Sequence, residues 1–125
     1  MATKLTRYRL KGTTAADGTA TINSNSVARG KIHTISCEVG ALDNTADVLL
    51  TTPDEVVNQT FLNLTDQAID VVVRPKILCT GADGSALTAT GNIYTEYCIF
   101  SRIRATISQG GATKAFVIDV YVEEY

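Results

Sequence analysis

The sequence predicts an all-β protein that folds as a single-domain β-sandwich with about eight to ten strands. Of the 125 residues, 39 are the β-branched types Thr, Val and Ile. Their side chains are stiff at the first torsion and fit a pleated sheet better than a helix. No long stretch keeps apolar residues at the i, i+3, i+4, i+7 spacing of an amphipathic helix. Glycine and Asx residues divide the chain into short segments, which is typical of sandwiches and barrels.

Length and charge narrow the class of protein. One domain over residues 1–125 fits the usual domain size of about 100–150 residues. A content of 45% hydrophobic and 19% charged residues is typical of a globular chain rather than a disordered tail. The net charge is -2, so nucleic acid, which attracts a basic excess, is not expected as a partner. The sequence has no run of about 18 apolar residues and no secretory signal, so no membrane partner is expected.

The first third of the chain alternates between strand and turn signals. Residues 4–11 alternate loosely and predict a first strand. Asp17-Gly18 predicts a turn, because glycine permits positive φ and Asp can bond its own backbone. Residues 19–22 predict the partner of that first strand. Residues 30–39 predict a strand whose even and odd positions occupy opposite faces, one of them largely buried.

The middle of the chain predicts several short strands. Residues 47–52 form a short apolar strand that a proline ends. Residues 55–64 fit either a strand or a single helical turn. Residues 69–73 are an apolar run interrupted by Asp70, and residues 76–80 extend it beyond Pro75. That proline has no amide donor, so it belongs at a strand end or an edge.

The last third ends in the most regular alternation. Residues 81–91 are small, polar and glycine-rich and predict a surface loop, and residues 92–100 predict an extended segment. Residues 102–108 and 114–122 alternate apolar and polar side chains. Gln109-Gly110-Gly111 between them supplies the positive φ values that hairpin turns need. We therefore predict that these last two strands pair as a hairpin.

Residues that carry chemistry are few and scattered. His33 is the single histidine and has no nucleophile beside it, so a structural or surface role is expected. Cys37, Cys79 and Cys98 form no CxxC motif. We expect them to be small buried hydrophobes of a chain folded in a reducing cytoplasm, and one disulfide stays open as an alternative. The sequence thus predicts no catalytic residue, cofactor or metal site, and a protein that is not an enzyme.

A series of short motifs follows in order from Asp17 to Glu124. They are the segments 18–21 (GTAT), 29–32 (RGKI), 38–40 (EVG), 47–50 (DVLL), 73–75 (VRP), 81–85 (GADGS) and 103–111 (IRATISQGG), before an acidic last strand. In this layout the chain resembles small virion proteins of tailed bacteriophages, the class that includes capsid decoration, or cement, proteins. The segments 29–40 and 103–124 carry most of the resemblance.

The resemblance implies a compact, jelly-roll-like sandwich that assembles as a homodimer or homotrimer over gaps between subunits of the major capsid protein. It implies a virion protein, synthesised in the bacterial host cytoplasm, that stabilises the capsid lattice without catalysis. The segments 53–64 and 92–100 look like insertions relative to the simplest members. Two alternatives stay open, a low-copy head–tail, tail or head-fibre component and a free ligand-binding β-sandwich. The absence of Trp and the 6% aromatic content disfavour the second.

The N-terminal stretch, residues 1–12, contains the one local basic cluster, at residues 4–11, and is the main candidate interface. It is either an arm or the first strand of the domain. We expect it to contact an acidic capsid surface or to add a strand to a neighbouring subunit. A first strand with a solvated basic face and no partner is the alternative. The candidate interface residues are Lys4, Arg7, Tyr8, Arg9 and Tyr125.

Overall fold

The fold consists of β-strands in the part of the chain that the structure describes. This computed structural model describes residues 4–67, 69–78 and 94–124. No helix that could span a membrane occurs in those ranges. The predicted loop over residues 81–91, together with Cys79 and Tyr125, lies outside the described residues. The strands are β1 (Lys4–Thr13), β2 (Ala20–Asn23), β3 (Ala28–Glu38), β4 (Asp47–Thr51), β5 (Thr60–Leu64), β6 (Val71–Val73), β7 (Lys76–Leu78), β8 (Tyr94–Glu96), β9 (Cys98–Ser101), β10 (Arg104–Ser108) and β11 (Ala115–Glu124).

Most of these strands belong to two antiparallel sheets. The first has the order β1-β11-β3, and both β6 and β9 pair with β3 on its far side. The second has the order β2-β10-β4-β5, and a separate pair joins β7 to β8. The predicted all-β, sandwich-like fold is therefore confirmed. Strands β1 to β4 alternate between the two sheets, which is compatible with a jelly roll; the jelly-roll assignment itself stays a prediction.

The core contains side chains from both sheets. Phe116, Ile118 and Val120 are buried on β11, and they share one buried cluster with Leu50 of β4 and Ile107 of β10. Burial of an aliphatic side chain of this size contributes about 1.5–3 kcal/mol relative to leaving it exposed. Burial of these alternate side chains therefore stabilises β11 in its position between β1 and β3.

A β-bulge interrupts the alternation predicted for β3. Val122 on β11 pairs with Ile32, and Tyr121 pairs with Thr34, so His33 is an extra residue in β3. Because the bulge inserts one residue, Ile32 and Ile35 are both buried while His33 is exposed. The prediction of strictly alternating faces over residues 30–39 is therefore wrong at this point.

Two predicted strand pairings are wrong because the chain changes sheet where a hairpin was expected. Strands β10 and β11 lie in different sheets, and so do β1 and β2; β2 pairs with β10 instead. The two connecting turns bond to each other, since the Gly110 amide donates to the Gly18 carbonyl over 2.9 Å. Alternation of apolar and polar residues shows which face of a strand is buried. A strand in either sheet buries one face against the other sheet, so the same alternation fits both positions and does not identify the neighbouring strand.

Candidate functional site

Strand β1 is an edge strand that carries a row of cations. It pairs with β11 along its whole length, from Lys4 opposite Glu124 to Thr13 opposite Ala115. No second strand pairs with it among the described residues. The outward backbone N–H and C=O groups of such a strand can accept another strand. We call β1 with its cationic side chains the basic edge; these side chains are Lys4, Arg7, Arg9 and Lys11.

An ion pair fixes the basic edge to its neighbour. Arg9 Nε and Nη2 each donate to one carboxylate oxygen of Asp119 over 2.9 Å, and the two residues lie directly opposite each other in the sheet. Hydrogen bonds from the Arg9 guanidinium, and then its charge, lower the pKa of Asp119 below its usual value. Burial of Asp119 acts in the opposite direction, so it is the Arg9 guanidinium that keeps Asp119 as a carboxylate. Arg9, predicted as an interface residue, thus has a partner within its own sheet.

Tyr8 is also used inside the molecule. Its hydroxyl donates to the Glu124 carboxylate. Burial, together with the hydrogen bond to Glu124 and the negative charge of that residue, raises the pKa of Tyr8 to about 12. The phenol therefore stays protonated and ties the end of β11 to β1. The side chain of Tyr8 lies on the partly buried row of β1, so it is a poorer contact residue than predicted.

Arg7 is the predicted interface residue that the structure leaves most available. It is exposed on the outer row of β1, opposite Tyr121, and forms no hydrogen bond or ion pair with any described residue. Beside it, the edge borders a cleft of about 210 Å³ whose other wall is the loop of residues 24–26. Lys11 extends the same outer row, whereas Lys4 lies on the opposite row at the strand end. A partner strand would therefore meet Arg7 and Lys11 first.

The opposite edge of the same sheet, β9, is covered by side chains instead. The loop between β4 and β5 runs past it and supplies the missing partners. Gln59 Nε2 donates to the Cys98 carbonyl over 3.0 Å, and the Phe100 amide donates to Glu55 Oε2 over 3.1 Å. These side chains bond the outward backbone groups of β9 as a neighbouring strand would. We call residues 52–59 the cover loop.

A second arginine–aspartate pair anchors the cover loop. Arg102 Nε and Nη2 donate to the Asp54 carboxylate over 2.9 and 2.8 Å. The Asp54 amide also donates to the hydroxyl of Ser101, which is fully buried. Hydrogen bonds from the Arg102 side chain and amide lower the pKa of Asp54 to about 2. The loop is thus joined at several points to the sheet it covers.

The cover loop carries two exposed valines beside an open groove. Val56 is 104% exposed and Val57 is 79% exposed; we call this pair the tip. The groove, about 800 Å³ in volume, lies along β9 and the adjoining end of β3. The Arg29 guanidinium carbon stands 4.6 Å from the centre of the Phe100 ring, which is a cation–π contact. The groove is lined by Val27, Arg29, Lys31, Cys98, Phe100 and Glu124, among others.

The remaining chemistry-bearing residues form no common site. His33 is exposed, and its Nδ1 lies 2.6 Å from Thr34 Oγ1. Cys37 is buried, and burial raises the pKa of its thiol to about 11. Cys98 is exposed, so the expectation of a buried side chain is wrong for this cysteine; neither of the two is in a disulfide. The described residues include no group of three or more side chains that could hold a metal ion.

Comparison of the chain with family models, with curated proteins and with solved structures gives no match in any of the three. No family is shown. The assignment of function therefore rests on the two edges of the first sheet.

Sequence reasoning identified one of these edges and missed the other. The basic cluster of β1 is visible in the sequence, and the structure places it on an edge. The cover loop overlaps residues 55–64, which the sequence left open as strand or helical turn; the structure has loop up to residue 59 and strand β5 after it. The sequence signal for this loop was the pair of adjacent valines between Pro53 and Asn58. Turns favour Gly, Pro, Asn, Asp and Ser, so two valines in a turn-rich segment indicate a contact surface rather than a turn requirement.

Proposed function

We propose that this chain is a non-enzymatic structural protein of a bacteriophage virion that binds the outer face of the capsid lattice and stabilises it. The observation that carries the proposal is the basic edge, a ten-residue edge strand without a second strand partner among the described residues. An extended acidic segment of another protein would gain main-chain hydrogen bonds and ionic contacts there at the same time.

The charge of the basic edge supports an acidic partner rather than a second copy of β1. Two β1 strands side by side would bring rows of like charge next to each other, which destabilises a sheet. On its paired side, β1 already faces acidic residues, with Arg9 opposite Asp119 and Leu5 opposite Glu123. An acidic surface of the major capsid protein is the partner we propose. Many such contacts, repeated by the symmetry of a capsid, would stabilise the lattice through avidity.

Charge reversal at the basic edge tests the proposal. The variant is Arg7→Glu with Lys11→Glu, because both side chains are exposed and neither forms an ion pair with a described residue. Arg9 is kept, since reversing it would place two carboxylates together at Asp119 and loosen β1 itself. The matched control, Arg74→Glu with Lys76→Glu, makes the same change of net charge at two exposed side chains away from β1, and the Lys76–Glu96 ion pair that it removes is solvent-exposed.

The measurement is co-sedimentation with purified capsids that lack this protein, quantified as copies per particle over a range of salt concentrations. We expect on the order of hundreds of copies for the natural chain and the control. For the Arg7/Lys11 variant we expect binding to fall by at least about tenfold, and binding of the natural chain to weaken with salt. A handful of copies would replace the lattice-wide role with a head–tail, tail or head-fibre position. Absence of binding would overturn the virion proposal and favour a free ligand-binding module.

A further inference from the structure

The groove and the tip form a second surface, which is independent of the basic edge. We propose that this surface binds a second copy of the same chain across a two-fold axis, with the tip of each copy in the groove of the other. The inference concerns contacts between copies and holds whether or not the chain binds a capsid.

The first support is the concentration of exposed apolar side chains at one end of the molecule. Val56 and Val57 form the tip, and Val27 and Phe100 line the groove; all four are exposed. The tip adjoins the groove directly, because Glu55, the residue before the tip, bonds the amide of Phe100. Contiguous exposed apolar patches of this kind mark interaction sites on soluble proteins.

The second support is that the patch is complementary to itself. It contains a projecting apolar element and an open groove side by side. A two-fold interface uses the same patch on both subunits, so each projection of one copy must meet a recess of the other. The groove, at about 800 Å³, has ample room for two valine side chains. A partner with an unrelated surface would use either the tip or the groove, but would have no reason to match both.

The third support is charge. The Glu55 carboxylate accepts hydrogen bonds from neutral donors, the Phe100 amide and Gln59 Nε2, and forms no ion pair with a described residue. In the groove, Arg29 stacks on Phe100 and likewise forms no ion pair within the described ranges. Insertion of a tip would bring the Glu55 of one copy towards the Arg29 of the other, and the two-fold axis would repeat this attraction.

The fourth support is the rigidity of the tip. Thr52 and Gln59 close the cover loop: the Thr52 amide donates to the Gln59 carbonyl over 3.1 Å, and the Gln59 amide donates to the Thr52 side-chain hydroxyl over 2.8 Å. The Arg102–Asp54 pair adds a further anchor. A pre-ordered loop loses little conformational entropy on association. The tip is therefore held in a binding-competent position before a partner arrives.

The association state of the purified chain tests this proposal, measured by sedimentation velocity over a wide range of protein concentration. The variant is Val56→Lys with Val57→Lys, and the matched control is Ile69→Lys with Val72→Lys, two other exposed apolar residues. We expect a dimer for the natural chain and for the control. The tip variant should have a dimer dissociation constant raised at least about a hundredfold, since it loses the apolar contacts of both valines and brings positive charge beside Arg29 and Lys31 of the groove. Circular dichroism on all three proteins would verify that each is folded.

A disulfide trap tests the arrangement itself. In a Cys79→Ser background, Val56→Cys should form an intermolecular disulfide with the exposed Cys98 of a second copy under mild oxidation, and Cys98→Ser should abolish it. A natural chain that stays monomeric at all concentrations, or a tip variant that dimerises like the natural chain, would overturn the proposal. So would a trimer, because a head-to-tail ring is not a two-fold contact.

Discussion

The two edges of the first sheet solve the same physical problem in different ways. Each edge presents backbone groups that lack a neighbouring strand. Strand β9 has its outward groups bonded by Glu55 and Gln59 of the cover loop. Strand β1 has a row of cations and no such cover among the described residues. Each edge also contains one bidentate arginine–aspartate pair, Arg9–Asp119 and Arg102–Asp54.

The difference between the two edges lies in which outward backbone groups are hydrogen-bonded within the molecule and which stay open to another strand. At β9, side chains replace a strand and prevent another strand from pairing there, so the surface offers side-chain contacts only. At β1, charge deters non-selective pairing while the backbone stays available to a partner of opposite charge. The first edge therefore suits a groove-and-tip contact, and the second suits strand addition.

The largest effect is expected from a glycine of β3, the strand that lies between β11 and the covered edge. Gly30 of β3 lies opposite Ile99 of β9 and has φ +148°, and a Cβ there would lie 2.1 Å from the Glu123 carbonyl oxygen. We expect Gly30→Ala to lower the free energy of unfolding by about 2–4 kcal/mol, because backbone strain and a backbone clash add. Urea unfolding would measure it. The control Gly40→Ala, at an exposed glycine without positive φ, should change stability by no more than about 0.5 kcal/mol. Equal effects at the two glycines would contradict the strain and the close approach of β11 that we assign to Gly30.

The two ion pairs should differ in their effect on stability. Asp119 is buried whereas Asp54 is exposed, and solvent screens an exposed pair. We expect Asp119→Asn to cost about 1–2 kcal/mol and Asp54→Asn to cost less. Thermal unfolding of both variants at neutral pH would measure the order. A larger loss for Asp54→Asn would reverse our comparison of the two edges.

The same pairs predict a dependence on acid. Both aspartates have a lowered pKa in the folded protein, to about 2 for Asp54. Their contribution to stability is therefore fully present above the unfolded pKa of about 4 and is lost as pH falls towards the folded value. Each Asn variant should show a shallower loss of stability below about pH 4 than the natural chain does. An unchanged slope in both would exclude these pairs as the source of acid sensitivity.

The smallest effect is expected from removing one hydrogen bond between the cover loop and β9. Glu55→Ala removes the acceptor of the Phe100 amide, so we expect hydrogen exchange of that amide to become about tenfold faster. The control is Glu38→Ala, at an exposed residue of β3.

In the natural chain, the outward amides of β1 should already exchange fast. Protection of those β1 amides in the isolated protein would show that the basic edge is not open.

Much of the fold is predictable from the sequence because strands carry their signal locally. The β-branched content and the alternation in β11 and β10 predict strands where strands occur. The sequence does not reveal the bulge at His33, because a bulge is imposed by the register of the neighbouring strand. The wrong hairpin has a similar origin. Gly110 and Gly111 fit a tight turn, yet contacts with Gly18 and Asp43 carry the chain into the other sheet.

The candidate site divides in the same way. Alternation by itself places Arg7, Arg9 and Lys11 on one row of a strand, since successive side chains point to opposite faces. The tertiary structure decides that this strand lies at an edge of the sheet and that Arg9 forms an ion pair with Asp119, while Arg7 has no ion-pair partner among the described residues. Edge position and charge pairing depend on residues more than a hundred positions apart in the chain, and local sequence patterns contain no information on which distant strands meet.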